Sequence, residues 1–233
     1  MEESSPMKNS IKSFVRRGGR LSPTHQDVLK TLWPHYGLSV EKAPHLSQQF
    51  LKEAPLVLEI GFGNGEHLFS QAHDHPENNY IGIEVYRGGL ARLLTRCLTH
   101  PLSNLKLLNE DATTFLAALP PEYLEGVFIL FPDPWPKTRH HKRRLIQPNF
   151  VECVWHTLKE KGWVHCATDW EPYARAMMNV FSRCEGFKNY YGVGQFAPSA
   201  REMETKFERR GKKLGHCVKD LLFSKVSSKQ LKD

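Results

Sequence analysis

The chain has few cysteines, and none is spaced as a metal site or a disulfide framework needs. Cys97, Cys153, Cys166, Cys184 and Cys217 are odd in number, widely spread and free of any C-x-x-C pair. This argues against a zinc knuckle and a stapled fold, and for a reducing cytoplasm. Long apolar runs are also missing. No window approaches the roughly 18 residues of a membrane span, and MEESSPMKNS at the start lacks the apolar stretch of about 7 to 15 residues of a secretion signal. A soluble, cytoplasmic protein that touches no membrane is expected. Acids are outnumbered, 25 Asp and Glu against 32 Lys and Arg, for a formal net charge of +7. That balance favours a polyanionic partner gripped through phosphates, although many basic proteins bind no nucleic acid. No internal repeat is present, and nothing is of low complexity except the polar tail from Ser224.

For 233 residues one core suffices, since single cores grow to roughly 250 residues before chains split. Residues 1–20 are polar and close on RRGGR. They lack the apolar surface to offset ordering entropy, which predicts a flexible basic arm. One folded domain is expected over 21–226, with a polar tail over 227–233. Ser22 and Pro23 make a helix start, and the helix through Val28, Leu29 and Leu32 is expected to stop before Pro34. From Pro55 onward, short apolar runs at 56–60, 80–84, 105–108, 126–131 and 163–168 alternate with segments of helical spacing such as GLARLLTRCL and PYARAMMNVF. This alternation predicts a Rossmann-like, doubly wound α/β fold on a mostly parallel sheet. CVKDLLF at 217–223 reads as a late strand.

Gly61, Gly63 and Gly65 in VLEIGFGNGEH fall directly after a strand and before a helix. There a backbone without side chains can approach a nucleotide-like ligand, though a tight strand-to-helix turn asks for the same residues. Glu84 closes the second strand about 20 residues on, where an acid accepts from a ribose diol. Asp111 ends the third strand. Glu59 lies inside the first, where a charge is costly unless paired, for example with a ligand ammonium group. Each acid taken alone also reads as a loop residue or a helix cap. Together they favour a cofactor with an amino group, a ribose and an adenine but no diphosphate, which such acids would repel. S-adenosylmethionine fits that description better than NAD does.

After the fourth strand comes FPDPWP, in which prolines fix the backbone on both sides of Asp133 beside Trp135. Ligands of open parallel sheets sit at strand carboxyl ends, so this reads as a preorganised acid, against the alternative of a solvated turn. Lys137, Arg139, His140, His141, Lys142, Arg143 and Arg144 then crowd together, either as a solvated face or as a grip on several phosphates. The adjacent histidines lack metal-ligand spacing, and no metal is expected. Asp169, with Trp170, ends the next strand as an acid at the same edge or as a helix cap. Thr205, Lys206, Phe207 and Glu208 lie in a glycine-containing cationic loop, TKFERRGKKLGH, able to fold over a nucleoside.

These motifs together resemble the bacterial tRNA (guanine-N7-)-methyltransferase family. SFVRRGGRLSPTHQ, LEIGFGNGEH, YIGIEVYRGGLARLL, PDPWPKTRHHKRR, ATDWEPYA and TKFERRGKKLGH occur in family order across roughly 13–223. The resemblance implies a class I S-adenosylmethionine-dependent methyltransferase domain acting on N7 of guanine 46 in the tRNA variable loop. It implies that Glu59, Glu84, Asp111 and Asp133 line the cofactor site, that Lys137 and Asp169 touch substrate, that Thr205 to Glu208 close over it, and that Arg139 to Arg144 hold RNA. A monomer or homodimer without an obligate protein partner is expected. Two departures from the family pattern stand out. Glu202 and Met203 replace an Arg-Pro pair, which bears on how the chain enters the TKFE loop, and Lys219 replaces a Trp, which bears on packing or a surface contact.

In this reading guanine N7 already offers a lone pair, so no proton need be removed before methyl transfer. Asp133 is expected to orient the base and offset its growing positive charge, with Trp135 or Phe207 as a stacking face. The rival readings are the same fold methylating another RNA base or a protein, and a non-catalytic tRNA-binding protein.

Overall fold

The protein is described by a computed structural model over residues 13–14, 21–198 and 217–226. Thr205, Lys206, Phe207 and Glu208, the departures at Glu202 and Met203, most of the expected arm, and the tail lie outside the described residues.

Seven strands form one sheet in the order β3-β2-β1-β4-β5-β7-β6. They are β1 Leu56–Ile60, β2 Asn79–Ile83, β3 Leu105–Leu108, β4 Leu124–Leu130, β5 Leu158–Thr168, β6 Phe187–Asn189 and β7 Lys219–Lys225. The first five run parallel, and β7 is antiparallel to both β5 and β6. All residues of β1 and β2 are buried, because helices cover both faces and the strands can be apolar throughout.

One face carries α1 (Pro23–Tyr36), α2 (Glu66–Asp74) and α3 (Arg87–Thr99). Leu29, Leu68 and Leu93 of these helices pack with Val57, Tyr80 and Leu107 of the sheet. The other carries α4 (Ala112–Ala118), α5 (Pro148–Thr157) and α6 (Glu171–Ser182), whose Phe115, Val151 and Met177 pack against Leu58, Ile129 and Cys166. The chain order reverses between β1 and β4, which opens a crevice at the strands' carboxyl ends. That is where the glycine loop and FPDPWP emerge.

The helix expected to end before Pro34 runs on to Tyr36. A proline in the last turn removes only one helical hydrogen bond. The Gly37 N–H donates to the Trp33 carbonyl at 2.7 Å, and buried Tyr36 accepts from the Leu102 N–H through its hydroxyl at 3.1 Å. The strand read at 163–168 begins at Leu158. A register jump opposite Leu124 and Gly126, with Lys161 at φ 64°, takes up the extra residues.

Candidate functional site

Gly61, Gly63 and Gly65 all adopt left-handed backbone, at φ 73°, 59° and 74°, a region that side chains strain. At Gly65 an added Cβ would also lie 2.8 Å from the Leu93 side chain. This conformation turns the chain from β1 into α2 and aims the Gly63 N–H at Glu84 Oε2, 2.8 Å away. The other oxygen of Glu84 accepts the Tyr86 N–H at 2.9 Å. Glu84 therefore ties the glycine loop to the entry of α3. Burial pushes its carboxyl above the ordinary range. The N–H donors of Tyr86, Gly63 and Val85 pull it back down, while the negative charge of Asp133 raises it.

Glu59 is 3% exposed and already has a partner. The His67 Nδ1–H of α2 donates to its Oε2 at 2.8 Å, and Phe128 meets the His67 ring edge-on at 4.6 Å between centroids. A charge inside this strand requires a partner, for which a ligand ammonium group is one example. His67, eight residues on in the first turn of the next helix, is that partner, unread in the sequence. Asp111 caps α4, accepting from the Thr113 N–H at 2.9 Å and the Thr113 hydroxyl at 2.6 Å.

Asp133 is exposed on a strained support. Phe131 at φ 53° and Trp135 at φ 43° are both left-handed without being glycine, a state that costs roughly 1–3 kcal/mol each and persists only where the surroundings enforce it. The enforcing contacts are present. The Phe131 N–H donates to the Ala167 carbonyl at 2.8 Å, Arg144 Nε to the Pro134 carbonyl at 2.9 Å, and Trp135 Nε1 to the Ser13 carbonyl at 3.0 Å. Arg143 lies 4.4 Å over the Trp135 ring, so that face of the indole is already taken.

A cavity of about 480 Å³ gathers Glu59, Gly61, Gly63, Glu84, Asp111 and Asp133, within the size range of small-molecule sites. Gly65 shapes the turn without lining the cavity. Ser13, Phe14 and Arg92, not singled out in the sequence, line it as well. Lys137, Arg139 to Arg144 and Asp169 are not in the lining. Asp169 follows the end of β5, and the cationic residues lie in a short 3₁₀ turn, Thr138–Arg143, and at its two caps, Lys137 and Arg144, beyond FPDPWP.

Within that turn the residues differ. Lys137, Arg139 and Lys142 are exposed, whereas His140, His141 and Arg143 are half-buried. Desolvation, then the charges of Arg139, Arg143, Lys137 and Lys142, hold His140 below the usual histidine range, so it adds a ring more than a charge. Arg144 points inward. It is 6% exposed, stacks 4.7 Å from the Tyr173 ring and holds Pro134. The chain dives here to seat Ile146 in the core, so Arg144 supports the Asp133 loop and does not face a polymer outside it.

The chain resembles known proteins along most of its length. Residues 53–221 match a family described as "Putative methyltransferase". Over 222 residues the chain is 47% identical to the tRNA (guanine-N(7)-)-methyltransferase of Hydrogenovibrio crunogenus, covering 94% of this chain and 92% of that one. The solved 16S rRNA methyltransferase KamB superposes with a TM-score of 0.59 at 16% identity, covering 78% of this chain and 93% of its own. A Streptococcus mutans protein in complex with SAH gives 0.50 at 11% identity, covering 76% and 92%. The two structures share the fold, that of class I methyltransferases, and the sequence match goes further: the chain belongs to the tRNA (guanine-N7-)-methyltransferase family.

Proposed function

We propose that this protein transfers a methyl group from S-adenosylmethionine to N7 of guanine 46 in the variable loop of tRNA, in the cytoplasm. The observation that supports this reading most directly is the joining of two features at one crevice. An acid-lined cavity lies at the reversal of strand order, and Asp133 stands on its rim, on a fixed backbone, with cations beside it.

The donor set suits the cofactor. Glu59, Glu66, Glu84, Glu110, Asp111 and Asp133 line the cavity against Arg92, a balance that repels a diphosphate and accommodates a cationic amino-acid end and a ribose. A Cβ at Gly61 would find nothing within 4 Å, so the loop backbone is open to a ligand. S-adenosylmethionine bound there would supply a methyl group on a cationic sulfur. Glu84 would accept from its ribose, and Asp111 would lie towards its adenosine end. Glu59, held by His67, would face its ammonium group. Asp133 orients the guanine, whose N7 lone pair is free without loss of a proton, and opposes the positive charge that develops on the base. Asp169 and Lys137 hold the nucleotide at the same edge.

The reading is tested by incubating unmodified tRNA with the protein and S-adenosylmethionine and analysing its nucleosides by mass spectrometry. The expected product is 7-methylguanosine, lost when guanine 46 of the transcript is replaced. Methylation of rRNA or protein in place of tRNA would overturn it.

Binding of the cofactor is expected to depend on pH through Glu84. Its folded value is raised, and hydroxyl donors favour the ionised form, so the complex binds fewer protons than the free protein. Affinity measured by calorimetry therefore falls as pH drops through the raised Glu84 range, and Glu84→Gln flattens that profile. For RNA, Arg139→Ala and Lys142→Ala should each reduce the slope of log K against log salt by about one per lost phosphate contact. Arg144→Ala should leave the slope intact and lower the melting temperature, because that guanidinium is buried structure.

A further inference from the structure

The segment from Tyr190 to Ala197 joins the edge strand β6 towards β7, and it is built as a rigid display. Asn189, buried at its base, donates through Nδ2 to the Gln195 carbonyl at 2.9 Å and accepts the Tyr191 N–H through Oδ1 at 3.0 Å. The Tyr190 N–H donates to the Leu222 carbonyl at 2.9 Å, the Gln195 N–H to Gly192 at 3.1 Å and the Ala197 N–H to Asp220 at 2.8 Å. Gly192 at φ 103° and Gly194 at φ 71° supply the turns that side chains would strain. What this scaffold holds out is apolar. Tyr190 is 69% exposed, Tyr191 40% and Val193 94%, with the two tyrosine rings 5.3 Å apart. Scattered exposed apolar residues need no explanation, but a hydrogen-bonded loop presenting three of them together does.

Its place in the sheet suggests the explanation. β6 runs parallel to β5, since both are antiparallel to β7. The loop returns to the sheet at Asp220, which pairs with Ala167 near the carboxyl end of β5. Ala197 thus lies two strand spacings, about 10 Å, from Ala167, two residues before Asp169, while Tyr190 bonds at the level of Leu222 and His165. Lys219 lies beside the loop, its Nζ 5.5 Å over the Phe196 ring, and Lys188 is exposed on β6. Of the nearby carboxylates, Asp220 is buried and bonded to His165 at 2.8 Å, and Glu171 pairs with Arg175 at 2.6 Å.

We propose that the Tyr190–Val193 loop with Lys219 is a second RNA contact, on which an unpaired base of the tRNA stacks while the lysine faces the phosphate. Exposed rings on a rigid backbone beside cations are the means by which proteins hold single-stranded nucleic acid without reading its sequence. The polar hydroxyls and flanking glycines and lysines suit a wet polyanion better than the face of another protein. This inference rests on tRNA being the substrate.

The test compares Tyr190→Ala/Tyr191→Ala with Tyr190→Phe/Tyr191→Phe in the full chain. The alanine pair should raise KM for tRNA about tenfold, and should weaken tRNA binding by fluorescence anisotropy equally. Its kcat at saturating tRNA, cofactor affinity and melting temperature should stay at wild-type values. The phenylalanine pair, which keeps the rings, should remain within about twofold of wild type. An unchanged KM in the alanine pair overturns the proposal. So does a change of oligomeric state by sedimentation that alone accounts for the loss, since the loop would then be covered by a second copy. If the wild-type protein methylates no tRNA, it is the substrate reading that fails.

Discussion

Asp133→Ala lowers single-turnover methylation of tRNA by about a hundred- to a thousandfold, while affinity for S-adenosylmethionine changes only a few-fold. That magnitude is typical of removing one fixed charge or dipole aimed at charge that develops in the transition state. It applies here because the backbone that carries Asp133 is fixed. Pro132 and Pro134 restrict its backbone, and the left-handed Phe131 and Trp135 are pinned by Ala167, Ser13 and Arg144. The loop that presents the acid is set before substrate arrives, so the cost of organising that backbone was met in folding. Asp133→Asn keeps the shape and a hydrogen-bonding oxygen but not the charge. It should recover only part of the loss if opposition to the charge on the base dominates, and most of it if orientation does. A turnover in Asp133→Ala within tenfold of wild type would sink the role assigned to this carboxylate.

The sheet was readable where burial on both faces forces unbroken apolar runs. LVLEI and LKLL are β1 and β3 to the residue. It was less readable where tertiary pairing overrides local pattern. The start of β5, LKEKG, is polar and becomes strand only because it pairs beside β4 through a register jump. β6 has three residues, too few for a period, and exists because β7 offers it an edge. The acids of the cavity were legible because several recur at the carboxyl ends of successive strands, although each alone also reads as a loop residue or a cap. His67 was not, since a histidine in an amphipathic helix looks like any surface polar residue until its partner across the glycine loop is known. The cationic run presented the same difficulty. Arg143 and Arg144 are indistinguishable as letters, and only the entry of Leu145 and Ile146 into the core marks where side chains begin to turn inward.

Gly89→Ala is expected to reduce cofactor affinity by at least a hundredfold, with a loss of stability of about 1–3 kcal/mol. Gly89 sits in the first turn of α3, and a Cβ there would fall 2.0 Å from the carbonyl oxygen of Gly63, with Glu84 Cγ at 3.3 Å. The obstacle is backbone, so no rotamer relieves it, and either the helix or the glycine loop must move. The loop is fixed by the Gly63 N–H bond to Glu84, whose other oxygen holds Tyr86 at the entry of the same helix. Displacing one member of that triangle displaces the others, and all three elements line the proposed cofactor site. The neighbouring Gly88→Ala is the control. Its Cβ would meet the Tyr86 ring at 2.5 Å, a side chain that can rotate, so affinity should fall by much less than in Gly89→Ala. Measuring both variants by calorimetry and thermal melting separates a general intolerance of alanine in this turn from the specific contact between Gly89 and the loop. Equal affinities in the two variants would mean that the close approach of α3 to the glycine loop does not shape the site.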